Sequence, residues 1–180
     1  MTKPKFHAII IHYKTRIFKY KIQLNGILTK MTAQIFDTAN YILSKCPKIS
    51  NMKLQKIIYY SHIDYLLKTN TPLIDTNIYP IEAWIYGPVI RELYMEFSKY
   101  SYKDITEPSK KGNINNLTTD QINSLDAIIK EYGDLSASDL SDKTHSETPW
   151  IEAYQKSRDW SENIITDKKL TSYYKNHPLY

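Results

Sequence analysis

The sequence predicts a mainly α-helical protein, with one compact multi-helix domain and a short extended segment near residues 80–86. Apolar residues recur every three or four positions through most of the chain after residue 31. Residue types that cap helices precede several of these periodic stretches. The 180 residues fit one domain, and a domain of this size buries about 70% of the surface that its unfolded chain exposes. One substantial hydrophobic core is therefore expected.

The first two helices are predicted between Thr32 and Thr69. Thr32 is a residue type that caps helices, and Pro47 should stop the first helix near Cys46. Ser50 can cap a second helix, whose apolar residues step by three and four along its length. This long helix, ending near Thr69, is expected to be the central one.

The extended segment is predicted to lead into a third helix. Residues 70–80 form a loop with two prolines, and residues 81–89 follow with the sequence Ile-Glu-Ala-Trp-Ile-Tyr-Gly-Pro-Val. Gly87 permits a sharp turn, and Pro88 has its φ angle preset for the first turn of a helix. A third helix should therefore begin at Pro88. The side chains that it should direct toward the core are those of Val89, Leu93, Tyr94, Phe97 and Tyr100.

Four further helices are predicted after an irregular loop. Residues 101–117 mix Lys, Asn, Ser, Pro and Gly without a period, which indicates an exposed loop. Thr118 has capping-box spacing to Gln121, and Gly133 stands where a helix should end. The remaining helices are expected to begin near Ser136, Thr148 with Pro149, and Thr166.

Residues 1–30 are interpreted as a basic N-terminal extension, and residues 31–180 as the helical domain. The extension holds seven of the 24 basic residues and none of the 19 acidic ones. Its alternation of apolar and polar residues before Asn25 and Gly26 is typical of a strand ending in a turn. Three interpretations stay open: an upstream extension of the coding sequence, an ordered arm, or a basic tail that contacts nucleic acid.

The composition argues against several kinds of site. A single cysteine cannot form an internal disulfide, and no zinc-ligand spacing occurs, which suits a reducing cytoplasm. The four glycines fit neither the phosphate-binding Walker loop nor the dinucleotide fingerprint. No apolar run is long enough to cross a bilayer or to form a signal peptide. We expect a cytoplasmic protein without a metal, a cofactor or a membrane anchor.

His145 is the most enzyme-like candidate, because it lies between two hydroxyl residues and near an acid. A small hydrolase would pair it with Ser141 or Thr144. A structural role is favoured, since such residues between short helices commonly satisfy backbone donors and acceptors. His62 and Asp64 are two residues apart on the second helix and point in different directions, so no catalytic dyad is expected there. We therefore predict no catalytic residue.

The aromatic residues admit two interpretations, a core cluster or a binding surface. For Trp84, Tyr86 and Trp150 the core is favoured. Tyr59 and Tyr60 are adjacent on a helix and point about 100° apart, so one of them should lie at the surface or in a groove.

The charged residues of the same stretches are expected at solvated edges of the fold. This applies to Lys53 and Lys56 on the second helix. Glu82, which precedes Trp84 by two positions, is expected to pair with a helix lysine and brace the fold.

Three separated stretches share a pattern with a known family. They are residues 53–60, residues 81–89 and a downstream run over residues 132–150. In this order and at these separations they resemble the Panacea antitoxin domain, also called SocA-like or GepA-like, of bacterial and prophage toxin–antitoxin operons. The resemblance extends over about residues 52–153.

The resemblance implies a binding protein without enzyme activity that neutralises a cognate protein toxin by direct contact. It implies no cofactor, and it leaves a homo-oligomer open. No helix-turn-helix module is recognisable before the domain, so autoregulation by DNA binding is not expected. The alternatives are a nucleic-acid-associated protein that uses residues 1–30, and a small hydrolase centred on His145. The motif residues expected to bind the toxin or to define the fold are Lys53, Gln55, Tyr59, Tyr60, Glu82, Trp84, Tyr86, Gly87, Pro88, Thr144, His145, Pro149 and Trp150.

Overall fold

The computed structural model describes residues 34–155 and 159–180. Within these ranges the chain forms α-helices and one antiparallel sheet of three short strands. The helices are α1 (Ile35–Lys45), α2 (Asn51–Thr69), α3 (Arg91–Phe97), α4 (Thr119–Tyr132), α5 (Ala137–His145), α6 (Thr148–Ala153) and α7 (Asp167–Tyr174). The strands are β1 (Ile81–Trp84), β2 (Gly87–Ile90) and β3 (Ile164–Ile165). The prediction of a mainly helical fold is confirmed, and the predictions for residues 1–30 and for a cap at Thr32 lie outside the described residues.

Helix α2 is the central element, as predicted. Helices α4, α5 and α7 and strand β2 all pack against it. Every residue over positions 54–66 is buried, because these neighbours leave that part of the helix without a solvent-facing side. The prediction that Tyr59 or Tyr60 lies at the surface or in a groove is therefore wrong, since they are only 1% and 0% exposed. The prediction of a solvated Lys56 is wrong for the same reason.

Most helices begin at the predicted capping residues. The side chains of Ser50 and Thr166 each accept a hydrogen bond from a backbone N–H of the following first turn. Thr118 and Gln121 form the predicted capping box, and Ser136 forms a second one with Asp139. Local polar residues therefore set these helix starts, independently of what packs around them.

Two helix ends differ in detail from the predictions. Helix α1 begins at Ile35, and the residue before it, Gln34, makes no capping bond with its side chain. Gly133 follows α4 as predicted, but its φ of −63° is right-handed, so glycine's special freedom is not used there.

The prediction that a helix begins at Pro88 is wrong. Strands β1 and β2 form a hairpin in which Trp84 pairs with Gly87 across the two turn residues Ile85 and Tyr86. Pro88 lies inside β2, and α3 begins only at Arg91. Because β2 is an edge strand in the order β2-β1-β3, a proline without an N–H is tolerated there. Gly87 has a φ of +98°, which lets the chain reverse at the turn.

The shift of this helix changes which of its residues face inward. Val89, Leu93 and Phe97 are buried as predicted. Tyr94 is 38% exposed and Tyr100 is half-buried, so the inward prediction is wrong for Tyr94. Helix α3 is thus a short element with one buried face.

The irregular loop over residues 101–117 is confirmed as a loop, but it is only partly exposed. Ile105 is buried, and its N–H donates to the carbonyl oxygen of Ile49 over 2.9 Å. The side-chain amide of Asn40 bonds both the N–H and the carbonyl oxygen of Ser109, each over 2.8 Å. Long-range polar contacts therefore anchor a segment whose composition indicated only exposure.

Candidate protein-binding surface at the hairpin turn

The hairpin turn is held from beneath by polar groups on α2 and α5. The amine of Lys56 donates to the carbonyl oxygen of Pro88 over 3.0 Å. The hydroxyl of Ser141 donates to the carbonyl oxygen of Tyr86 over 3.1 Å. The His145 ring interacts with the backbone of Ile85. These contacts bring parts of the three separated sequence stretches together around one turn.

Lys56 lies directly under Gly87. A Cβ atom on Gly87 would come within 2.7 Å of Lys56 Cε and within 2.5 Å of the Thr144 hydroxyl oxygen, so these side chains would have to shift to admit it. The Lys56 side chain is fully buried, and no described carboxylate pairs with its amine. Burial lowers the pKa of Lys56 to about 7, because an unpaired ammonium is poorly solvated in the interior.

A second polar contact braces the base of the hairpin. The buried carboxylate of Glu82 accepts from the Trp84 indole N–H over 2.7 Å. It also accepts from Nε and Nη2 of Arg91 over 3.1 and 2.8 Å. The guanidinium carbon of Arg91 lies 5.4 Å from the centre of the Trp84 ring. Glu82 therefore braces the fold as expected, but through the arginine that begins α3 in place of a lysine.

Trp150 joins α6 to the hairpin. Its indole N–H donates to the carbonyl oxygen of Trp84 over 3.0 Å. Its ring lies between His145, at 4.1 Å between ring centres, and Tyr154, at 4.7 Å. Trp84 and Trp150 are half-buried, which agrees with a packing role, whereas Tyr86 is 64% exposed and the core interpretation is wrong for it.

Two of the other motif residues of α2 join this helix to its neighbours. Lys53 donates from its amine to the carbonyl oxygen of Gly133 over 2.5 Å. Gln55 is buried, and its side-chain oxygen accepts from the N–H of Ile90 over 2.9 Å. The buried ring of Tyr59 packs edge-on against its neighbour Tyr60. Lys53 and Gln55 therefore act between elements, which a period along one helix does not show, whereas this contact of Tyr59 lies within α2.

Glu147, the acid that lies near His145 in the sequence, is buried, which no sequence pattern predicts. Glu147, which precedes α6, is 4% exposed and accepts from the hydroxyls of Tyr60 and Tyr174 over 3.2 and 2.5 Å. Lys143 lies 3.3 Å from the same carboxylate. Burial raises the pKa of Glu147 despite these partners. Pro149 is buried in the second position of α6.

The described residues do not form the hydrolase arrangement that the alternative centred on His145 requires. The hydroxyl of Thr144 donates to the Ser141 carbonyl oxygen over 2.7 Å, and the Ser141 hydroxyl is bonded to the hairpin. The His145 Nε2 atom is buried and has no hydrogen-bond partner. Burial, followed by the charge of Lys56, lowers the pKa of His145. A nucleophile bonded to a general base is therefore not formed by these three residues.

His62 also has a structural partner. Its Nε2 atom lies 3.0 Å from the carboxylate of Asp167 at the start of α7, so Asp64 is not its partner, as expected. In the described ranges, no group of His, Cys, Asp and Glu side chains could hold a metal ion. None of the described helices is long and apolar enough to span a bilayer.

The turn presents apolar side chains to solvent beside a groove. Ile85 is 47% exposed and Tyr86 is 64% exposed. The groove has a volume of about 240 Å³ and lies between the first turns of α2, the hairpin and α3. Its lining residues are Asn51, Met52, Gln55, Lys56, Trp84, Ile85, Tyr86, Val89, Tyr94 and Ser101. We call Ile85, Tyr86 and this groove the turn surface.

Comparisons with known proteins identify the class of protein to which this arrangement belongs. The family model described as "Antitoxin SocA-like, Panacea domain" matches residues 54–151, which is more than half of the chain. The chain therefore belongs to this family, and the resemblance inferred from the three stretches is confirmed.

One curated relative is Antitoxin SocA of Caulobacter vibrioides (strain NA1000 / CB15N). The two proteins are 31% identical over 126 residues, which cover 62% of this chain and 65% of the relative. The chain thus spans just under two thirds of the length of that relative. No solved structure matches the chain.

Proposed function

We propose that this protein is an antitoxin that neutralises a cognate protein toxin by direct contact, with the turn surface at the centre of the contact. Membership of the SocA-like family supports the antitoxin role. A toxin and antitoxin made together would meet in the cytoplasm. Binding alone is sufficient for neutralisation, so this function requires no catalytic group.

The observation that carries the proposal is the exposure of Ile85 and Tyr86 on a turn with a fixed backbone. Isolated apolar side chains on a surface need no explanation, but these two adjoin an apolar groove and are adjacent to one another. A few residues supply most of the binding free energy in protein interfaces, and tyrosine, the residue type of Tyr86, is enriched among them. Hydrogen bonds from Lys56 and Ser141 already fix the backbone of the turn. Binding therefore costs little further backbone entropy.

The proposal is tested by co-expression. The product of the adjoining reading frame, expressed alone, should arrest growth, and this chain should restore growth. Growth arrest that persists in the presence of folded antitoxin would remove the proposed function.

The contact face is tested by substitution at the turn. Ile85→Ser together with Tyr86→Ser should weaken toxin binding by about thirtyfold, the loss typical of an interface hot spot. The matched control is Ile78→Ser, because Ile78 is 56% exposed and does not line the groove. Calorimetry on purified pairs measures the affinities, and urea unfolding verifies that both variants fold. Equal affinities for the turn variant and the control would contradict the proposed contact face.

A further inference from the structure

We infer that the groove of the turn surface receives one large apolar side chain of the partner polypeptide as an anchor. This inference rests on the proposed function, which supplies a protein partner. It adds the chemistry of the group that the partner must present.

Three polar side chains in the wall of the groove, those of Asn51, Gln55 and Lys56, already form hydrogen bonds with the protein's own backbone. Asn51 donates from its amide nitrogen to the carbonyl oxygen of Tyr94 over 2.9 Å. Gln55 accepts from the N–H of Ile90 over 2.9 Å. These bonds tie α2 to strand β2 and to helix α3. A ligand entering the groove would therefore contact mainly the apolar side chains of the wall.

The volume of the groove suits one side chain. A cavity of about 150 Å³ lined by apolar residues binds benzene, so about 240 Å³ accommodates a Phe, Leu, Met or Trp side chain. Met52, Trp84 and Val89 provide apolar contact around such a group. The exposed Ile85 and Tyr86 adjoin the groove and would extend the contact to residues that flank the anchor.

The charges in the groove exclude a basic anchor. Lys56 contributes to the lining, and none of the lining residues is acidic. A lysine or arginine from the partner would enter an apolar site without a counter-ion and beside another amine. An acidic anchor would have to compete with Pro88 for the Lys56 amine and lose its hydration against apolar walls. An uncharged apolar group meets neither cost.

Binding of an apolar group in the groove can be tested without the partner protein. Indole added to the full chain with ¹³C-labelled methionine methyl groups should shift the NMR signal of Met52. The signal of Met95 should stay unchanged, because Met95 is 62% exposed on α3 and does not line the groove. An unmoved Met52 signal at saturating indole would overturn the inference without bearing on the antitoxin role.

The anchor is then tested with the partner. Met52→Trp fills the groove and should weaken toxin binding by about tenfold or more, while Met95→Trp is the matched control and should bind within about twofold of wild type. Full neutralisation by wild type together with undiminished binding by folded Met52→Trp would overturn the anchor and leave the proposed function standing. Failure of wild type to neutralise the toxin would remove the proposed function, and the anchor with it.

The pH dependence of binding distinguishes the two kinds of anchor. Because Lys56 is already fully buried, an apolar anchor adds little to its desolvation, so wild type and Lys56→Met should show the same change in affinity between about pH 8 and about pH 6. An affinity that rises as the pH falls in wild type but not in Lys56→Met would indicate a carboxylate anchor and overturn the inference. His145 on α5 is the titratable group on which the charge of Lys56 acts, so the profile is repeated in a His145→Phe background.

Discussion

The amine of Lys56 donates a hydrogen bond to the carbonyl oxygen of Pro88 over 3.0 Å, inside the protein and without a carboxylate partner. This contact joins the central helix α2 to the edge strand β2 just after the turn. A buried lysine without a counter-ion is costly when charged, so its pKa falls to about 7. The hydrogen bond that holds β2 to α2 therefore comes from a side chain whose protonation changes near neutral pH.

The first prediction concerns stability against pH. The folded pKa of Lys56 lies below its unfolded value of 10.5, so between these values the unfolded chain binds more protons. The free energy of unfolding should therefore rise from about pH 7 to about pH 9, by at most about 1.4 kcal/mol per pH unit from this residue. Urea unfolding at several pH values measures this slope.

Two variants isolate the contribution of Lys56 to that slope. Lys56→Met should flatten it, because methionine fills similar space without a titrating group. Lys53→Met is the matched control on the same helix and should keep the wild-type slope. A slope that survives Lys56→Met would show that another group is responsible.

The second prediction concerns Gly87. Gly87→Ala should lower the free energy of unfolding by about 2 kcal/mol or more, because its φ of +98° is strained for alanine and its Cβ would contact Lys56 and Thr144. Adding Thr144→Ala removes the nearest atom and should recover part of the loss in a double-mutant cycle. Thermal and urea unfolding measure both effects. A fully stable Gly87→Ala protein would be incompatible with this turn geometry.

The third prediction concerns Glu147. Glu147→Ala should cost about 3 kcal/mol of unfolding free energy, because the hydroxyls of Tyr60 and Tyr174 lose their buried acceptor. Glu147→Gln keeps a carbonyl oxygen at the same place and should cost clearly less. Comparing the two variants by urea unfolding separates the lost hydrogen bonds from the lost charge. Equal costs would mean that the charge, and not the acceptor, stabilises the fold.

The fourth prediction distinguishes a structural from a catalytic His145. His145→Phe retains a ring against Trp150 and should still restore growth in the co-expression assay, since the proposed function transfers no proton. His145→Ala removes the stacking and should lower the melting temperature more than His145→Phe does. Complete loss of neutralisation by a folded His145→Phe protein would support the catalytic alternative.

Local signals in the sequence predicted the helix starts because each acts over three or four residues. Ser50, Thr118, Ser136 and Thr166 bond the first turns of their own helices, and no distant residue is needed for this. The three sequence stretches also predicted the family correctly. The nucleic-acid alternative concerns residues 1–30, which lie outside the described ranges, and it stays a prediction.

The wrong predictions came from residues whose local preferences suit two different structural settings. The fixed φ of Pro88 suits both a first helical turn and an edge strand, and pairing between β1 and β2 decided between them. Lys56 lies on a helix, and charged residues of an amphipathic helix normally face water. It is buried because elements distant in sequence cover α2 on every side.

The sequence by itself determined which segments become helices, where most of them begin, and to which family the chain belongs, because these depend on neighbouring residues and on motif order. Only the tertiary structure decided that Lys56 and Glu147 are buried and that Ile85 and Tyr86 are exposed. Burial depends on which elements pack together, and the contacts of Lys56 with Pro88 and of Glu147 with Tyr60 and Tyr174 join residues 27 to 87 positions apart. Such distances exceed the range of any capping box or helical period.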